Sequence, residues 1–394
     1  MKKKIAYIIN HSSFFCSHII DIATQARQNN YEIKLFCGRD ASKKMEQNAK
    51  KIIKEKKILI KKNISKSSSI NLIQEIFGFY QLFKSIKKYK PDIIHCASPK
   101  GIIFGGLISR FLNIKSLVIF NSGMGFLFSN RINLIFMIVK WGYIFLLKNY
   151  IMKHSNKRII VENKDDYFFL KNTYKIKSKE IQLIKGSGVN LKKYKYKKKN
   201  NSKLVMLPAR VIKEKGIEEF IMAAVSLNKN FPEWKFAVAG TFDYEKQSKL
   251  NMNRIKFLNK NNIVKFLGYV KNMNTLYKKT AIVCLPSYRE GFSRTLQEAA
   301  AVGIPIVTTN VVGCKDSIIP NKTGLLSKPK NYNSLRKKLA ILISSKKKRF
   351  IFGLNGRKLA EKEFELNSVI KKNLDIYNNL IRSVQKTDLK VKSK

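Results

Sequence analysis

The sequence predicts an α/β protein built from two doubly wound parallel sheets, and three features of the chain support this prediction. Short apolar runs alternate with helix-length amphipathic segments through the first half of the chain. A basic segment with few apolar residues follows at 191–202 (LKKYKYKKKNNS) and is typical of a linker. After this segment the alternation of strand and helix patterns restarts.

Ten short apolar runs are predicted as buried strands. In the first half they lie at 5–9, 32–36, 93–95, 117–120 and 158–161. In the second half they lie at 204–207, 236–239, 264–266, 282–285 and 304–308. The predicted helices between them are 70–88, 101–111, 216–228, 250–259, 294–301 and 335–344.

This pattern predicts two Rossmann-like domains in a chain of 394 residues. We expect an N-terminal domain at 1–190, the linker at 191–202, and a C-terminal domain at 203–362. A C-terminal helix and tail follow at 363–394, with fraying expected from 386. Ligands of such sheets bind beyond the carboxyl ends of the strands, so we expect the site in the cleft between the domains.

The charge of the chain narrows the classes of partner. It has 79 Lys and Arg against 25 Asp and Glu, a formal net charge of +54. Such a field favours nucleic acid, phosphorylated small molecules or an acidic membrane surface. The lysines are spread over every segment and no recognised nucleic-acid motif is present, so a nucleic-acid-binding protein is an alternative and no nucleic-acid partner is predicted.

The five cysteines form no CxxC pair, which argues against a disulfide framework or a zinc site and favours a reducing compartment. The apolar run after the basic N-terminus is short and is predicted as a strand, not as an export signal. These features predict a cytoplasmic protein.

Two segments raise the question of a membrane. The apolar segment 131–150 carries Lys140 at its centre, so a transmembrane span is the least favoured interpretation. A core helix and an interfacial helix, with Trp141 and Tyr143 at the headgroup boundary, stay open. The basic helix at 42–57 is either a solvated face or a docking element for an anionic leaflet.

The segment 287–303 holds the residues most typical of a ligand site. A strand ends before it, Gly291 permits close backbone approach, and Ser293 is a natural N-cap for the following helix. The first N–H groups of a helix attract anions. Glu290 lies just before this helix and Glu298 about one turn inside it, so both could face one ligand with a phosphate between a sugar and a nucleoside.

The spacing from Glu290 to Glu298 resembles the E-x7-E motif of retaining GT-B glycosyltransferases of family 4, including the type that acts on lipid-linked oligosaccharides. Other segments resemble the family in the same order along the chain, and the resemblance is strongest over 186–326. They are the R-x4-K-G segment at Arg210, Lys215 and Gly216, the G-x-D/N stretch at 186–190, the strand ends at Gly240 and 266–269, and a late turn at 323–326.

The resemblance implies roles for the matching positions. Arg210 and Lys215 would grip the donor diphosphate, Glu298 would bind the ribose hydroxyls, and Glu290 would contact sugar hydroxyls near the reacting carbon. We therefore expect Glu290, Arg210 and Lys215 to carry the reaction. The remaining donor-binding positions that the resemblance implies are the backbone of Gly291, Phe292 and Ser293 at the sugar and phosphate, Tyr269 and Val270 at the base, and Gly240.

The resemblance also implies a GT-B fold, whose C-terminal helix returns toward the N-terminal domain. No metal or other cofactor is expected, since the donor region has no DxD motif and the nucleotide sugar is a substrate. Retention would follow from front-face attack, in which the acceptor enters on the leaving-group side.

The first domain departs from the family pattern, because Ser122 occupies the usual place of a histidine. Subgroups that act on lipid-linked sugars also lack this histidine, which favours such an acceptor. The acceptor-side candidates are Asn10, His11 and His18 in the first loop after a strand, Lys100, Ser122 and Gly123. His95 could also face this side, and His154 is predicted at the surface.

The sequence thus predicts a retaining, metal-independent glycosyltransferase. It would move a hexose or N-acetylhexosamine from a UDP-linked donor to a lipid-linked saccharide in bacterial surface polysaccharide, O-antigen or capsule synthesis. We expect it on the inner face of the cytoplasmic membrane, bound peripherally to the anionic surface. The alternative is a sugar-nucleotide epimerase of the same fold.

Overall fold

The computed structural model describes residues 2–40, 43–62, 72–123, 134–198, 201–242, 252–261 and 263–392. The chain divides into two compact units, one of Met1–Ser187 with Val369–Lys394 and one of Gly188–Ser368. Each unit holds one parallel sheet with helices, so the predicted α/β class is confirmed. Of the predicted helices, linker and tail, residues 42, 70–71, 131–133, 199–200, 250–251 and 393–394 lie outside the described residues.

The first unit is built on a seven-stranded sheet, among the described residues, in the order β3-β2-β1-β4-β5-β6-β7. Its strands are β1 Lys3–His11, β2 Tyr31–Gly38, β3 Leu59–Lys62, β4 Ile93–Ala97, β5 Ser116–Asn121, β6 Lys157–Val161 and β7 Ile181–Leu183. Its helices are α1 Ser12–His18, α2 Ile20–Gln28, α3 Lys43–Glu55, α4 Leu72–Tyr89, α5 Pro99–Phe111, α6 Leu134–Asn149 and α7 Lys164–Thr173.

The second unit is built on a sheet with six described strands in the order β10-β9-β8-β11-β12-β13. Its strands are β8 Leu204–Leu207, β9 Lys235–Val238, β10 Lys265–Phe266, β11 Ile282–Leu285, β12 Ile306–Thr309 and β13 Gly324–Ser327. Its helices are α8 Ile217–Asn230, α9 Met252–Lys260, α10 Met273–Lys278, α11 Arg294–Val302, α12 Tyr332–Ser344 and α13 Lys346–Leu359. A π-helical turn at Ala360–Phe364 leads into α14, Leu366–Lys392.

The difference between central and edge strands explains which strands the sequence predicts. Central parallel strands are covered on both faces, so they are continuous apolar runs such as 5–9 of β1, which is fully buried. The three strands that were not predicted, β3, β7 and β13, all lie at an edge of their sheet. A turn was predicted at 323–326, and this was wrong because Gly324–Ser327 forms the edge strand β13, which pairs in parallel with β12.

The C-terminal helix α14 belongs mostly to the first unit, so the predicted return of this helix is confirmed. Its Tyr377 hydroxyl lies 3.0 Å from the Tyr7 hydroxyl of β1 and 2.7 Å from Nδ1 of His95 on β4. Helix α14 runs to Lys392, and the fraying expected from residue 386 stays a prediction.

Helix α6 carries the apolar segment whose role the sequence left open. Leu147 is buried and Ile144 packs against the core of the first unit, whereas Trp141 and Phe145 are exposed. The core-helix interpretation is therefore right for only one side of α6. Within the described residues no helix has both the length and the apolar content needed to cross a bilayer.

Candidate active site

The loop between β11 and α11 is fixed at the carboxyl edge of the second sheet. The Glu290 N–H donates to the carbonyl of Val312, at 3.1 Å, in the loop that follows the neighbouring strand β12. Gly313 has φ +77°, and a Cβ there would lie 2.4 Å from the Glu290 carbonyl oxygen. Only glycine fits this contact between the two loops, which sets the position of Glu290.

Glu290 forms an ion pair with Lys215. The Nζ of Lys215 lies 2.5 Å from Oε1 of Glu290, and the two side chains are 21% and 14% exposed. Lys215 ends a short helical turn after β8, and β8 is the neighbour of β11 in the sheet. The sheet order therefore joins the R-x4-K-G and E-x7-E segments, and the sequence did not predict this pairing.

Gly216 sets the backbone next to Lys215. It has φ +70°, and a Cβ at this position would lie 2.2 Å from the carbonyl oxygen of Pro286. The left-handed conformation and the close approach both require glycine. The segment that carries Lys215 is thus held against the segment that leads to Glu290.

Glu298 is buried on α11 and held by two side chains. Its Oε1 accepts a hydrogen bond from Nε of Arg294 at 3.2 Å, and its Oε2 lies 3.2 Å from the hydroxyl of Tyr277. Burial, and then the charge of Glu298, raise the pKa of Tyr277 well above its usual value. Burial and the same carboxylate raise the pKa of Tyr194. The sequence did not indicate these partners, although Arg294 is one helical turn before Glu298.

The start of α11 has the predicted cap. The hydroxyl of Ser293 accepts a hydrogen bond from the Leu296 N–H, at 3.4 Å. The Phe292 ring is buried 5.5 Å from the ring of Phe364, so its side chain packs in the core. Gly291 is partly exposed. Backbone N–H groups at this helix start are suited to an anion.

The remaining predicted donor residues lie beyond the carboxyl ends of β8, β9 and β10. Arg210 is exposed after β8, and Gly240 follows β9, where a Cβ would lie 1.9 Å from the carbonyl oxygen of Ala209. Tyr269 is 71% exposed and Val270 is partly buried. Parallel strands bring all these positions to one edge, the edge that also carries Glu290.

Among the acceptor-side candidates of the first unit, Asn10 has a structural role. Its Oδ1 accepts a hydrogen bond from the Gly101 N–H, at 2.9 Å, and so holds the first turn of α5. Lys100 forms a 2.7 Å ion pair with Glu75 of α4. Ser122 and Gly123 are partly exposed after the end of β5.

His11 and His18 were predicted in a loop, and this was wrong because His11 ends strand β1 and residues 12–18 form helix α1. His11 caps this helix by accepting the Phe14 N–H at Nδ1, at 3.2 Å, and lies 3.4 Å from Asp40. Burial alone would raise the pKa of Asp40, but hydrogen bonds from His11, Ser12 and Ser13 outweigh it and hold this pKa well below the usual range. His18 stacks on the ring of Phe14.

Three groups at the first sheet are buried, and the sequence did not predict their burial. Burial lowers the pKa of His95 to about 3, so its ring is neutral. His154 was predicted at the surface and is buried, with Nε2 2.9 Å from the carbonyl oxygen of Ile114. Burial, and then the charge of Asp166, raise the pKa of Glu162 to about 8. Over the described part of the chain, no cluster of three or more His, Cys, Asp or Glu side chains could hold a metal ion.

Comparison with known families gives two matches along this chain. The model of "Glycosyl transferases group 1" matches residues 189–359, which include every predicted donor residue. The model of "Glycosyl transferase 4-like" matches residues 4–155 of the first unit.

Comparison with individual proteins agrees with these matches. The chain is 28% identical over 334 residues to the Campylobacter jejuni N,N'-diacetylbacillosaminyl-diphospho-undecaprenol alpha-1,3-N-acetylgalactosaminyltransferase, covering 80% of this chain and 85% of that protein. It is 27% identical to the Escherichia coli UDP-Gal:alpha-D-GlcNAc-diphosphoundecaprenol alpha-1,3-galactosyltransferase, over 62% of this chain and 64% of that one. The crystal structure of Anabaena HepE with UDP and glucose has the same fold, with a TM-score of 0.75, 17% identity, and coverage of 96% of this chain and 100% of HepE.

Proposed function

The chain belongs to the glycosyl transferases that these two family models describe, and we propose that it transfers a sugar from a UDP-linked donor to a lipid-linked saccharide. The observation that carries this proposal is the Lys215–Glu290 pair beside the capped start of α11. A cation, a carboxylate and the free N–H groups of a helix start therefore lie together at the carboxyl edge of the second sheet.

This arrangement suits the charge changes of sugar transfer from a nucleotide sugar. Negative charge grows on the departing diphosphate, and Lys215, Arg210 and the N–H groups of α11 would stabilise it without a metal ion. Glu290, held by Lys215, would orient the sugar hydroxyls beside the reacting carbon. Glu298 keeps lone pairs for ribose hydroxyls while it accepts from Arg294.

The proposed reaction retains the anomeric configuration. The acceptor hydroxyl oxygen bonds to the anomeric carbon from the side of the leaving group, while the bond from that carbon to the diphosphate oxygen breaks. The hydroxyl proton passes to the departing diphosphate. In this reaction Glu290 positions the sugar and stabilises the charge that develops during transfer, and no carboxylate nucleophile is needed.

The names of the relatives support the proposed substrates. The Escherichia coli relative is named for UDP-Gal, and both relatives are named for saccharides carried on diphospho-undecaprenol. A hexose or N-acetylhexosamine donor and a polyprenyl-linked acceptor in surface polysaccharide synthesis fit these names. With an acceptor of this kind, the reaction would take place at the inner face of the cytoplasmic membrane.

A metal-free titration tests the donor part of this proposal. We expect UDP and one or two UDP-sugars to raise the melting temperature of the protein in EDTA, and Glu298→Ala to weaken their binding about tenfold or more, because a charged hydrogen-bond acceptor is lost. Calorimetry gives the affinities. Glu233→Ala, which removes an exposed carboxylate of the same unit, is the matched control and should bind as the unmodified protein does. Binding that needs a divalent cation, or that is equal in Glu298→Ala, would contradict the proposal.

A further inference from the structure

A buried carboxylate, Asp40, lies beside the end of the first strand. Its side chain is 1% exposed, and it accepts hydrogen bonds from the Ser12 hydroxyl and, at 3.1 Å, from the Ser13 N–H. Among the described residues, His11 is the one basic side chain at ion-pair distance, with Nδ1 3.4 Å from Oδ1 of Asp40. Burial would raise the pKa of Asp40, but these hydrogen bonds outweigh it, so the carboxylate is charged at neutral pH.

The bonds at Nδ1 of His11 decide which ring nitrogen carries a hydrogen. Nδ1 accepts the Phe14 N–H at 3.2 Å and lies 3.0 Å from the Ser13 hydroxyl, so the hydrogen of the neutral ring is on Nε2. In the protonated ring both nitrogens carry hydrogen, and Nδ1 then faces the carboxylate of Asp40. Both forms therefore have an N–H at Nε2. The His11 side chain is 33% exposed, and no described group bonds Nε2, so this N–H can reach a ligand.

Two further rings lie on the same side of α1 as His11. Positions 11, 14 and 18 are three and four residues apart, so their side chains share one helix face. The ring of His18 stacks on that of Phe14 at 4.3 Å, and the ring of His11 is perpendicular to Phe14 at 6.1 Å. All three side chains are partly exposed, and we call them together the α1 ring face: His11, Phe14 and His18.

The α1 ring face lies at the carboxyl edge of the first sheet. His11 is the last residue of β1. The ring of Phe14 lies 6.3 Å from that of Phe120, the last residue but one of β5, and Ser122 follows the end of β5 and is partly exposed. Ligands of parallel sheets bind beyond the carboxyl ends of the strands. The α1 ring face is therefore placed where the first unit would hold a ligand.

The charge of the Asp40–His11 pair favours a neutral ligand. The pair has a net charge of −1 with a neutral ring and of zero with a protonated ring, so it does not attract a phosphate. Lys62, which lies near Asp40, is paired with Glu46. The Nε2–H group needs an oxygen as its partner, and a sugar hydroxyl provides an uncharged one. The ring of Phe14 beside it provides an apolar surface for the C–H face of a sugar.

We propose that Nε2 of His11 donates a hydrogen bond to a hydroxyl oxygen of the acceptor saccharide, and that Asp40 positions the His11 ring for this bond. The sugar lies against the α1 ring face. His11 holds the acceptor and does not remove the proton of the attacking hydroxyl, which passes to the departing diphosphate in the proposed reaction. This inference rests on the proposed function for the nature of the ligand, and it adds which side chains hold the saccharide.

Two substitutions of His11 separate the roles of its two nitrogens. Asparagine places an oxygen near the position of Nδ1 and is a preferred N-cap, whereas glutamine places an amide N–H near the position of Nε2 and caps poorly. The probes are N-acetylglucosamine, N-acetylgalactosamine and galactose, each linked through diphosphate to a citronellyl chain, and calorimetry gives the affinities.

The two variants should change stability and affinity in opposite directions. We expect His11→Asn to melt no lower than the unmodified protein but to bind the best of these probes about tenfold more weakly, because one hydrogen bond is lost. His11→Gln should melt lower and keep most of the affinity, which a residue that takes a proton would not do. Affinities that follow the melting temperature in both variants would overturn the proposal.

A double-mutant cycle tests the positioning role of Asp40. Asp40→Asn keeps the shape and an oxygen for the Ser13 N–H, and it should weaken binding of the same probe about fivefold. Combined with His11→Asn it should cause no further loss, because Asp40 acts through His11. Losses that add in the double variant would overturn the positioning role.

Citronellyl diphosphate without a sugar, and UDP, are the control ligands. His11→Asn should bind both as the unmodified protein does, because the proposed bond is to a sugar hydroxyl. Weaker binding of citronellyl diphosphate, or no binding of any glycosylated probe by the unmodified protein, would overturn the proposal. Probe binding that depends on His11, without UDP binding, would support this inference and contradict the proposed function. UDP binding, with probe affinity unchanged in His11→Asn, would overturn this inference alone.

Discussion

Replacing Glu290 with alanine should lower the rate of sugar transfer by about 10²–10³-fold while donor binding changes little. The carboxylate is held 2.5 Å from Lys215, and its proposed contribution is to the transition state, where charge moves from the sugar to the leaving diphosphate. The rate of product formation at saturating donor is the measurement. Glu290→Gln, which keeps the shape, should also be slow because it lacks the charge that holds Lys215.

The control for this prediction is Glu361→Ala, an exposed carboxylate that pairs with Arg357 on the same helical stretch. It should transfer sugar at the normal rate. An unchanged rate in Glu290→Ala, in protein whose melting temperature shows it to be folded, would remove Glu290 from the site.

Replacing Gly216 with alanine should destabilise the second unit by about 2–4 kcal/mol and abolish most donor binding. Two effects add: the left-handed backbone at φ +70°, and a Cβ placed 2.2 Å from the Pro286 carbonyl oxygen. Relief of this clash would separate the turn of Lys215 from the loop that leads to Glu290. Denaturant unfolding gives the stability, and a UDP titration gives the affinity.

Gly268 provides a matched comparison for Gly216. It also has a left-handed backbone, φ +63°, but a Cβ there would meet no atom within 4 Å. Gly268→Ala should therefore lower the free energy of unfolding only by the cost of a left-handed backbone at alanine, about 1 kcal/mol. Equal losses in the two variants would mean that the close approach to Pro286 does not hold the site together.

The strands in the middle of each sheet could be predicted because burial on both faces leaves a continuous apolar run. Edge strands carry a weaker signal: β3, with the sequence LIKK, alternates between exposed and partly buried residues. The helix at 12–18 was missed because its cap is a histidine, which is not among the usual capping residues. Whether a weak edge strand or an unusually capped helix forms depends on the segments that pack against it, and the local sequence does not contain this information.

The candidate site was predictable where its residues follow one another along the chain. The spacing from Glu290 to Glu298 and the cap at Ser293 are properties of one strand, one loop and one helix. The partners of these residues come from other elements: Lys215 follows β8, Tyr277 is on α10, and Asp40 lies beyond β2 beside His11. Which side chains meet depends on strand order and register, and the pattern of one segment does not contain either.

The central claim is that this chain moves a sugar from a UDP-linked donor to a lipid-linked saccharide at the Lys215–Glu290 site. The most direct measurement incubates the protein, in EDTA, with radiolabelled UDP-sugars and vesicles that contain polyprenyl-diphosphate-linked saccharides. We expect label to enter the lipid fraction with retained anomeric configuration for the unmodified protein, and hardly at all for Glu290→Ala. Release of a free epimerised UDP-sugar with no labelled lipid, or equal labelling by both proteins, would contradict the account.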